Sequence, residues 1–256
     1  PIDRLLHMNA PAVALYRDNG IDLSAQLLPI AVCAQHLNGG LMVDADWQTT
    51  LPGLYAVGEC AGTFGVRRPG GSALNATQVG AQRAAEHIAR QPKGEQAYSG
   101  GEAVRALAGM LDALTEGGRP IEDVAAHFRA AMSRTAAFLR DVEGMRALKN
   151  ELAQMLREVN QWTCPTGRPA AWLTARDQMR TQLACVDAML LAAQQGLPCT
   201  AMVHPRAAVP EVNHIVQTQL AGDGVVSTMR EATPIPESDL WFENVWRQWR
   251  ERNKQD

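Results

Sequence analysis

No apolar run in the 256-residue chain approaches the roughly 20 residues that a helix needs to cross a bilayer. The N-terminal PIDRLLHMNA lacks the apolar centre of a secretory signal, so a cytoplasmic chain with no membrane span is expected. Neither sign of charge dominates: 24 Lys and Arg face 27 Asp and Glu, for a net charge of −3. That balance removes the electrostatic ground for a nucleic-acid or acidic-membrane partner. The five cysteines, Cys33, Cys60, Cys164, Cys185 and Cys199, form no C-x-x-C pair, which argues against a disulfide framework, an iron–sulfur cluster or any other metal site. No G-x-S-x-G is present to hold a nucleophilic serine. Nor is there a G-x-G-x-x-G, the glycine turn that holds a dinucleotide pyrophosphate. No repeat of fixed period is visible.

The informative stretch runs from Pro29 to Ala89. Gly53-Leu54-Tyr55-Ala56-Val57-Gly58 is a short apolar run bounded by Pro52 and Gly58, which predicts a strand buried on both faces. Glu59 then stands at the strand's C-terminal end, where ligands bind in open α/β sheets and a carboxylate accepts hydrogen bonds from ligand hydroxyls. Gly62, Gly65, Gly70 and Gly71 follow, allowing close approach of backbone to a bound group. From Ser72, a candidate N-cap, the pattern turns helical, and Ala76, Gly80 and Ala84 make a small-residue face on which a neighbour can lie close. The N-terminus of this helix favours negative charge.

These residues resemble the flavoproteins of the succinate dehydrogenase, fumarate reductase and L-aspartate oxidase type. Their closing FAD segment reads approximately HYTMGG, then D, then T-x-x-x-GLYAAGE, then G-x-NR-x-GG-NSL. Here the corresponding residues are QHLNGG, Asp44, Thr50 to Glu59 as TLPGLYAVGE, and Val66 to Leu74 as VRRPGGSAL. Upstream, Leu15 to Asp22 (LYRDNGID) is similar to the family's return from its capping domain. The resemblance implies FAD as cofactor, with Gly58, Glu59, Gly70, Gly71, Ser72, Ala73 and Leu74 as its contacts. It also implies a small, carboxylate-bearing substrate, with Arg68 at the family's carboxylate-binding arginine; a planar guanidinium suits bidentate recognition.

One position departs. The family's substrate-binding His lies four residues before the first Gly of the pair, and Gln35 stands there; His36 is one residue closer. In extended backbone a one-residue shift turns a side chain to the opposite face, so His36 reaches the same ligand only if the chain bulges. The family's proton-donating arginine belongs to its capping domain and has no counterpart here, so no catalytic residue is assigned. The expectation is the C-terminal part of a larger flavoenzyme, inactive alone, whose partner is an N-terminal FAD-binding half or subunit. FAD is expected in the complete protein and need not be held by this chain by itself.

Beyond Gln91 the character changes. Pro92 to Gly101 reads as a linker, and four helical stripes follow: Val104, Leu107, Leu111 and Leu114; Ile121, Val124, Phe128, Met132 and Leu139; Met145, Leu148, Leu152, Leu156 and Val159; Leu173, Met179, Leu183, Val186 and Leu190. Short breaks between them predict antiparallel neighbours. After Gly196 a proline-rich, irregular tail leads to a terminal helix with Trp241, Phe242, Val245, Trp246 and Trp249 on one face, expected to dock on its own protein.

The predicted architecture is α+β and helix-rich: a C-terminal remnant of a Rossmann-type FAD-binding domain, an antiparallel helical bundle and an irregular tail. The boundaries are 1–28 for the end of a capping domain or linker, 29–98 for the FAD-binding remnant, 99–195 for the bundle and 196–256 for the tail. An incomplete sheet with an unpaired edge leaves homo-oligomerisation open. The principal reading is a flavoprotein oxidoreductase that transfers a hydride between FAD and a small substrate. The alternative is a non-catalytic assembly subunit derived from a flavoprotein. A hydrolase using Glu59 and His36 as acid and base lacks any nucleophile motif.

Overall fold

The computed structural model describes residues 1–30, 38–65, 68, 70–92, 100–112, 119–159, 162–163, 168–197, 199, 201–205, 207–208, 213–222, 224–232, 238 and 240–252. The chain divides into two compact units, Pro1–His36 and Leu37–Asp256.

The first unit is carried by α1, Ile2–Asp18, which kinks at Asn9 (φ −155°, ψ 64°). Pro11 lies two residues on and cannot donate to the helical ladder, so the helix restarts: the Asn9 side chain accepts from the amide of Ala12 at 3.2 Å, capping the second segment.

The second unit is helix-rich. A short 3-10 turn, Gly58–Cys60, precedes α2 (Ser72–Arg90) and α3 (Gly101–Asp112). Then come α4 (Ile121–Thr135), α5 (Val142–Arg157) and the long α6 (Pro169–Gln194). Their apolar stripes meet: Phe128 of α4, Met145 and Leu152 of α5, and Trp172, Met179, Leu183 and Val186 of α6 are all buried in one core. Each such side chain contributes about 1.5–3 kcal/mol on burial. Trp162 and Trp172 meet edge to face at 6.3 Å, and the Trp162 indole donates to Met155 Sδ at 2.9 Å. Lys149 of α5 pairs with the largely buried Asp187 of α6. Asp141 caps α5, its carboxylate accepting from the Gly144 amide at 2.6 Å.

The stripes are carried by helices as expected, with edges that differ. Leu139 lies on the short strand β2 (Leu139–Asp141) and is exposed. Leu114 lies outside the described residues, and only Met110 and Leu111 of α3 pack on the core. The two-residue strands β1 (Arg119–Pro120) and β3 (Trp162–Thr163) pair in parallel across the ends of the helices.

Two expectations are corrected. The run Gly53–Gly58 is not a buried strand. Gly53 and Gly58 take φ of 83° and 74°, which cuts the extended backbone short, and pairing is limited to single bridges, Gln48 with Tyr55 and Leu41 with Ala61. Ala56 is buried, yet Leu54 and Val57 are 48% and 36% exposed. An apolar run becomes a buried strand only with neighbours on both sides, and no such neighbours flank it among the described residues. The tail is also not irregular throughout. Met202–His204 (β4) pairs in parallel with β2, and His214–Ala221 (β5) forms an antiparallel hairpin with Gly224–Glu231 (β6). Ala221 pairs with Gly224, and Gly222 takes φ 59°, the positive-φ glycine chemistry of a tight hairpin. The hairpin packs on α6, with Val225 against the core. The proline content of this part of the sequence, with Pro205, Pro210, Pro234 and Pro236, obscured the hairpin.

Candidate functional site

The segment from Asn38 to Arg90 builds one surface around α2. Its first brace is backbone on backbone. The Leu41 amide donates to the Cys60 carbonyl at 2.8 Å, and the Gly62 amide donates to the Leu41 carbonyl at 3.0 Å. A Cβ on Gly40 would lie 2.3 Å from the Cys60 oxygen, so only glycine admits this approach. The Gly39-Gly40 pair thus seats the turn that carries Glu59.

The second brace is the loop Asp44–Tyr55. The Asp44 carboxylate accepts from the amides of Asp46 and Gln48, each at 2.9 Å, and closes the turn. The Ala56 amide donates to the Trp47 carbonyl at 3.2 Å. Tyr55 Oη lies 2.8 Å from His87 Nδ1 and accepts from Gln48 Nε2 at 3.0 Å, while His87 Nε2 lies 2.8 Å from Gln91 Nε2. The sequence offered no partner for His87; Tyr55 supplies one from 32 residues away.

Trp47 lies at the centre of this brace, in the left-handed region at φ 62°. For a bulky side chain that conformation costs about 1–3 kcal/mol. Its indole lies on the small-residue face of α2, where a Cβ on Gly80 would come within 2.4 Å of Trp47 Nε1. The indole N–H is buried with no hydrogen-bond partner, a further cost of roughly 1–3 kcal/mol. Arg83 stacks over the ring at 5.7 Å and donates to the Ala45 carbonyl at 3.3 Å. The neighbour that lies close on this small-residue face is therefore an indole, seated at Gly80.

The N-terminus of α2 starts at Ser72 with Gly71, not Ser72, in the cap position. Gly71 is left-handed (φ 85°), and no side chain caps the helix. Among the described residues, chain neighbours apart, no heavy atom lies within 4 Å of where a Cβ would stand on Gly70 or Gly71. Gly58 packs beside the Thr77 side chain, so the Gly58–Cys60 turn lies alongside the first turns of α2. Glu59 is exposed there. The result is a ledge of backbone with the Glu59 carboxylate exposed beside it and the helix amides of Ser72 and Ala73 at its start; the Leu74 amide donates to the Gly71 carbonyl at 3.1 Å. This donor set fits a large, partly anionic ring system with hydroxyl groups.

Arg68 is half-buried, its Nε donating to Asn38 Oδ1 at 3.3 Å and its guanidinium stacked 5.3 Å over the Phe64 ring. Asn38, itself left-handed at φ 53°, was not singled out by the sequence motif. The structure thus brings Arg68 to the Asn38-Gly39-Gly40 turn. Gln35 and His36 lie outside the described residues, as do Arg67 and Pro69. Cys60 is exposed, and Sγ donates to the Val57 carbonyl at 3.2 Å. Among the described residues no three His, Cys, Asp or Glu side chains are grouped to hold a metal.

Remote histidines fall elsewhere. His127 of α4 lies 2.7 Å from Glu151 of α5, an exposed pair. His204 is part of β4, and Arg206 lies outside the described residues.

Residues 7–74 match the family model described as FAD binding domain. That segment is therefore similar to an FAD binding domain, and FAD is the cofactor the match supports. The chain is 38% identical over 90 residues to L-aspartate oxidase of Bacillus subtilis, covering 34% of this chain and 17% of that protein. It is 34% identical over 137 residues to L-aspartate oxidase of Caulobacter vibrioides, covering 52% and 24%. It is 33% identical over 155 residues to the fumarate reductase flavoprotein subunit of Mycobacterium tuberculosis, covering 52% and 26%. These matches span about a quarter or less of the relatives' own length. In fold the chain is similar to the Mycobacterium smegmatis Sdh1 complex in the apo form (TM-score 0.71, 18% identity), covering 93% of this chain and 43% of that one. It is likewise similar to a quinol-fumarate reductase with menaquinol (TM-score 0.68, 17% identity), covering 91% and 43%. The residues present fit FAD: the Gly70-Gly71 ledge is open, the start of α2 has no side-chain cap, and Glu59 faces outward beside it.

Proposed function

We propose that this chain is the C-terminal portion of a flavoprotein oxidoreductase that transfers a hydride between FAD and a small carboxylate-bearing substrate. The observation that carries the reading is the ledge itself. A glycine-capped helix start stands beside an exposed carboxylate and a half-buried arginine, inside a segment matched to an FAD binding domain.

When bound, FAD supplies the two-electron chemistry. This chain's residues bind and orient. Glu59 accepts hydrogen bonds from flavin hydroxyls, and Gly58, Gly70 and Gly71 admit close backbone approach. The amides at Ser72, Ala73 and Leu74 favour negative charge on the ring. Arg68, held by Asn38 and Phe64, binds the substrate carboxylate, and His36 is a second candidate for the same ligand on its place in the sequence motif. The pyrophosphate-binding half comes from another segment or subunit, because this chain has no G-x-G-x-x-G. On this reading residues 1–28 close a capping domain, 29–98 finish the FAD-binding domain, 99–195 form a helical domain and 196–256 a terminal extension.

The test is flavin uptake by the complete gene product. Wild-type protein is expected to purify yellow. Glu59→Ala is expected to weaken FAD binding about tenfold, the size of one lost hydrogen bond to a charged group. Arg68→Ala should leave FAD uptake intact and raise the dissociation constant for a dicarboxylate. Colourless wild-type protein that takes up no added FAD would sink the reading.

A second reading, an assembly subunit without catalysis, is favoured by one feature. Leu41, Leu54, Leu74 and Val79 of this same surface are 48–71% exposed, more apolar area than an isolated surface usually shows. It predicts stable, flavin-free association with another polypeptide, read by light scattering.

A further inference from the structure

Trp47 combines a left-handed backbone at φ 62°, a buried indole N–H with no partner, and contact so close that residue 80 must be glycine. Nothing in the flavin contacts proposed above uses it. Strain of this kind persists only where surrounding structure holds it, and it concentrates where a segment must be placed accurately.

The connections of Trp47 say which segment. Its side chain is wedged against Gly80 in the middle of α2, under Arg83. Its carbonyl accepts the Ala56 amide, and Ala56 leads within three residues to Gly58 and Glu59. Gly58 in turn packs beside Thr77, three residues before Gly80 on the same helix. The indole therefore acts as a spacer between α2 and the strand-like stretch that delivers Glu59. Tyr55 and His87 fix the far end of that stretch to the same helix at 2.8 Å.

We infer that Trp47 is a positioning residue for flavin, setting the height of the Gly58–Glu59 turn above the start of α2. The inference rests on the flavin reading of Glu59 and the α2 ledge. A smaller side chain lets the turn settle toward α2, and Glu59 no longer meets a ring system seated on the Gly70-Gly71 ledge. Shape is what matters, since the indole N–H bonds to nothing. A phenylalanine retains the wedge and a glycine relieves the backbone while removing it.

The experiment compares Trp47→Phe, Trp47→Gly and Gly80→Ala in the complete gene product, measuring the FAD dissociation constant and the bound-flavin spectrum at a temperature where each apoprotein is folded by circular dichroism. Amide exchange at Ala56 to Ala61 is followed in the apoproteins. Trp47→Phe is expected to hold FAD within about threefold of wild type. Trp47→Gly and Gly80→Ala are expected to lose about tenfold or more, to shift the flavin spectrum and to exchange faster at Ala56 to Ala61. Equal FAD affinity and equal exchange in wild type and Trp47→Gly would overturn the wedge while leaving the flavin reading intact. A wild-type protein that binds no FAD overturns the flavin reading and the wedge's role in flavin binding with it.

Discussion

Arg68 and Asn38 lie 30 residues apart and meet at 3.3 Å, which fixes a guanidinium that would otherwise move freely on a surface turn. Held in this way, an arginine spends less conformational entropy when it grips a planar anion than a lysine would. Close packing decides the neighbouring position. Gly40→Ala would drive a methyl group to 2.3 Å of the Cys60 carbonyl, so a loss of about 1–3 kcal/mol and a lowered melting temperature of this unit are expected, read by calorimetry. The thiols separate in the same residue-level way. Burial pushes the Cys185 thiol up from its ordinary value, whereas Cys60 is exposed beside Glu59. Iodoacetamide at mild alkaline pH should label Cys60 well before Cys185, and bound FAD should slow labelling at Cys60. Comparable rates at the two thiols would contradict the placement.

At the scale of elements, α2 is the spine of the site. Trp47, Tyr55 and the Gly58 turn lie along it, and α7 (Trp241–Arg252) reaches it through Trp249. Trp246 and Trp249 of α7 stack at 5.0 Å, and Trp249 donates its indole N–H to Glu86 of α2 at 2.9 Å. The aromatic face expected to dock on its own protein thus docks in part: Trp249 is engaged, Val245 and Trp246 remain 44% and 51% exposed, and the side chains of Trp241 and Phe242 lie outside the described residues. The Gln82 amide and the Trp249 indole hydrogen-bond Glu86 and hold its carboxyl below the ordinary 4.5, with Arg90 adding to the effect. A lowered folded-state value stabilises the folded, docked form above the unfolded value, and that contribution fades as pH falls through the folded one. Tryptophan fluorescence is therefore expected to be constant from neutral pH down to about 4.5 and to change below it as α7 loosens. Glu86→Gln should flatten that change, and an unaltered titration in this variant would refute the assignment.

For the whole molecule, stability resides in α4, α5 and α6, where the buried side chains concentrate, and the FAD-binding segment is poor in them. Leu152→Ala opens a cavity in a fully buried position and is expected to cost about 2–5 kcal/mol, measured by urea unfolding followed at a helix-sensitive wavelength. Flavin affinity measured below the transition should change little, because Leu152 belongs to that helical core and α2 lies outside it. A parallel loss of both would mean that the core and the site fold as one cooperative unit. Across the second unit, no helix among the described residues is long and apolar enough to cross a membrane.

The sequence by itself determined what depends on near neighbours. Periods of three and four placed Phe128, Met145, Leu152, Met179 and Leu183 inside, because a helix repeats its face locally. The GGSAL segment marked the start of α2, since a turn glycine and a helix start are local chemistry. The tertiary structure alone decided what depends on distant partners. Gly53 to Gly58 has strand composition but lacks flanking strands, so it runs as bridged, half-exposed backbone. Trp47 has no motif, and its role exists only because Gly80 leaves room for it; Asn38 acquires meaning only when Arg68 folds onto it. The hairpin His214–Ala221 with Gly224–Glu231 needed the α6 surface to rest on. Local periodicity is written in consecutive residues, whereas pairing, wedging and docking are properties of two surfaces, and one stretch of sequence specifies only one of them.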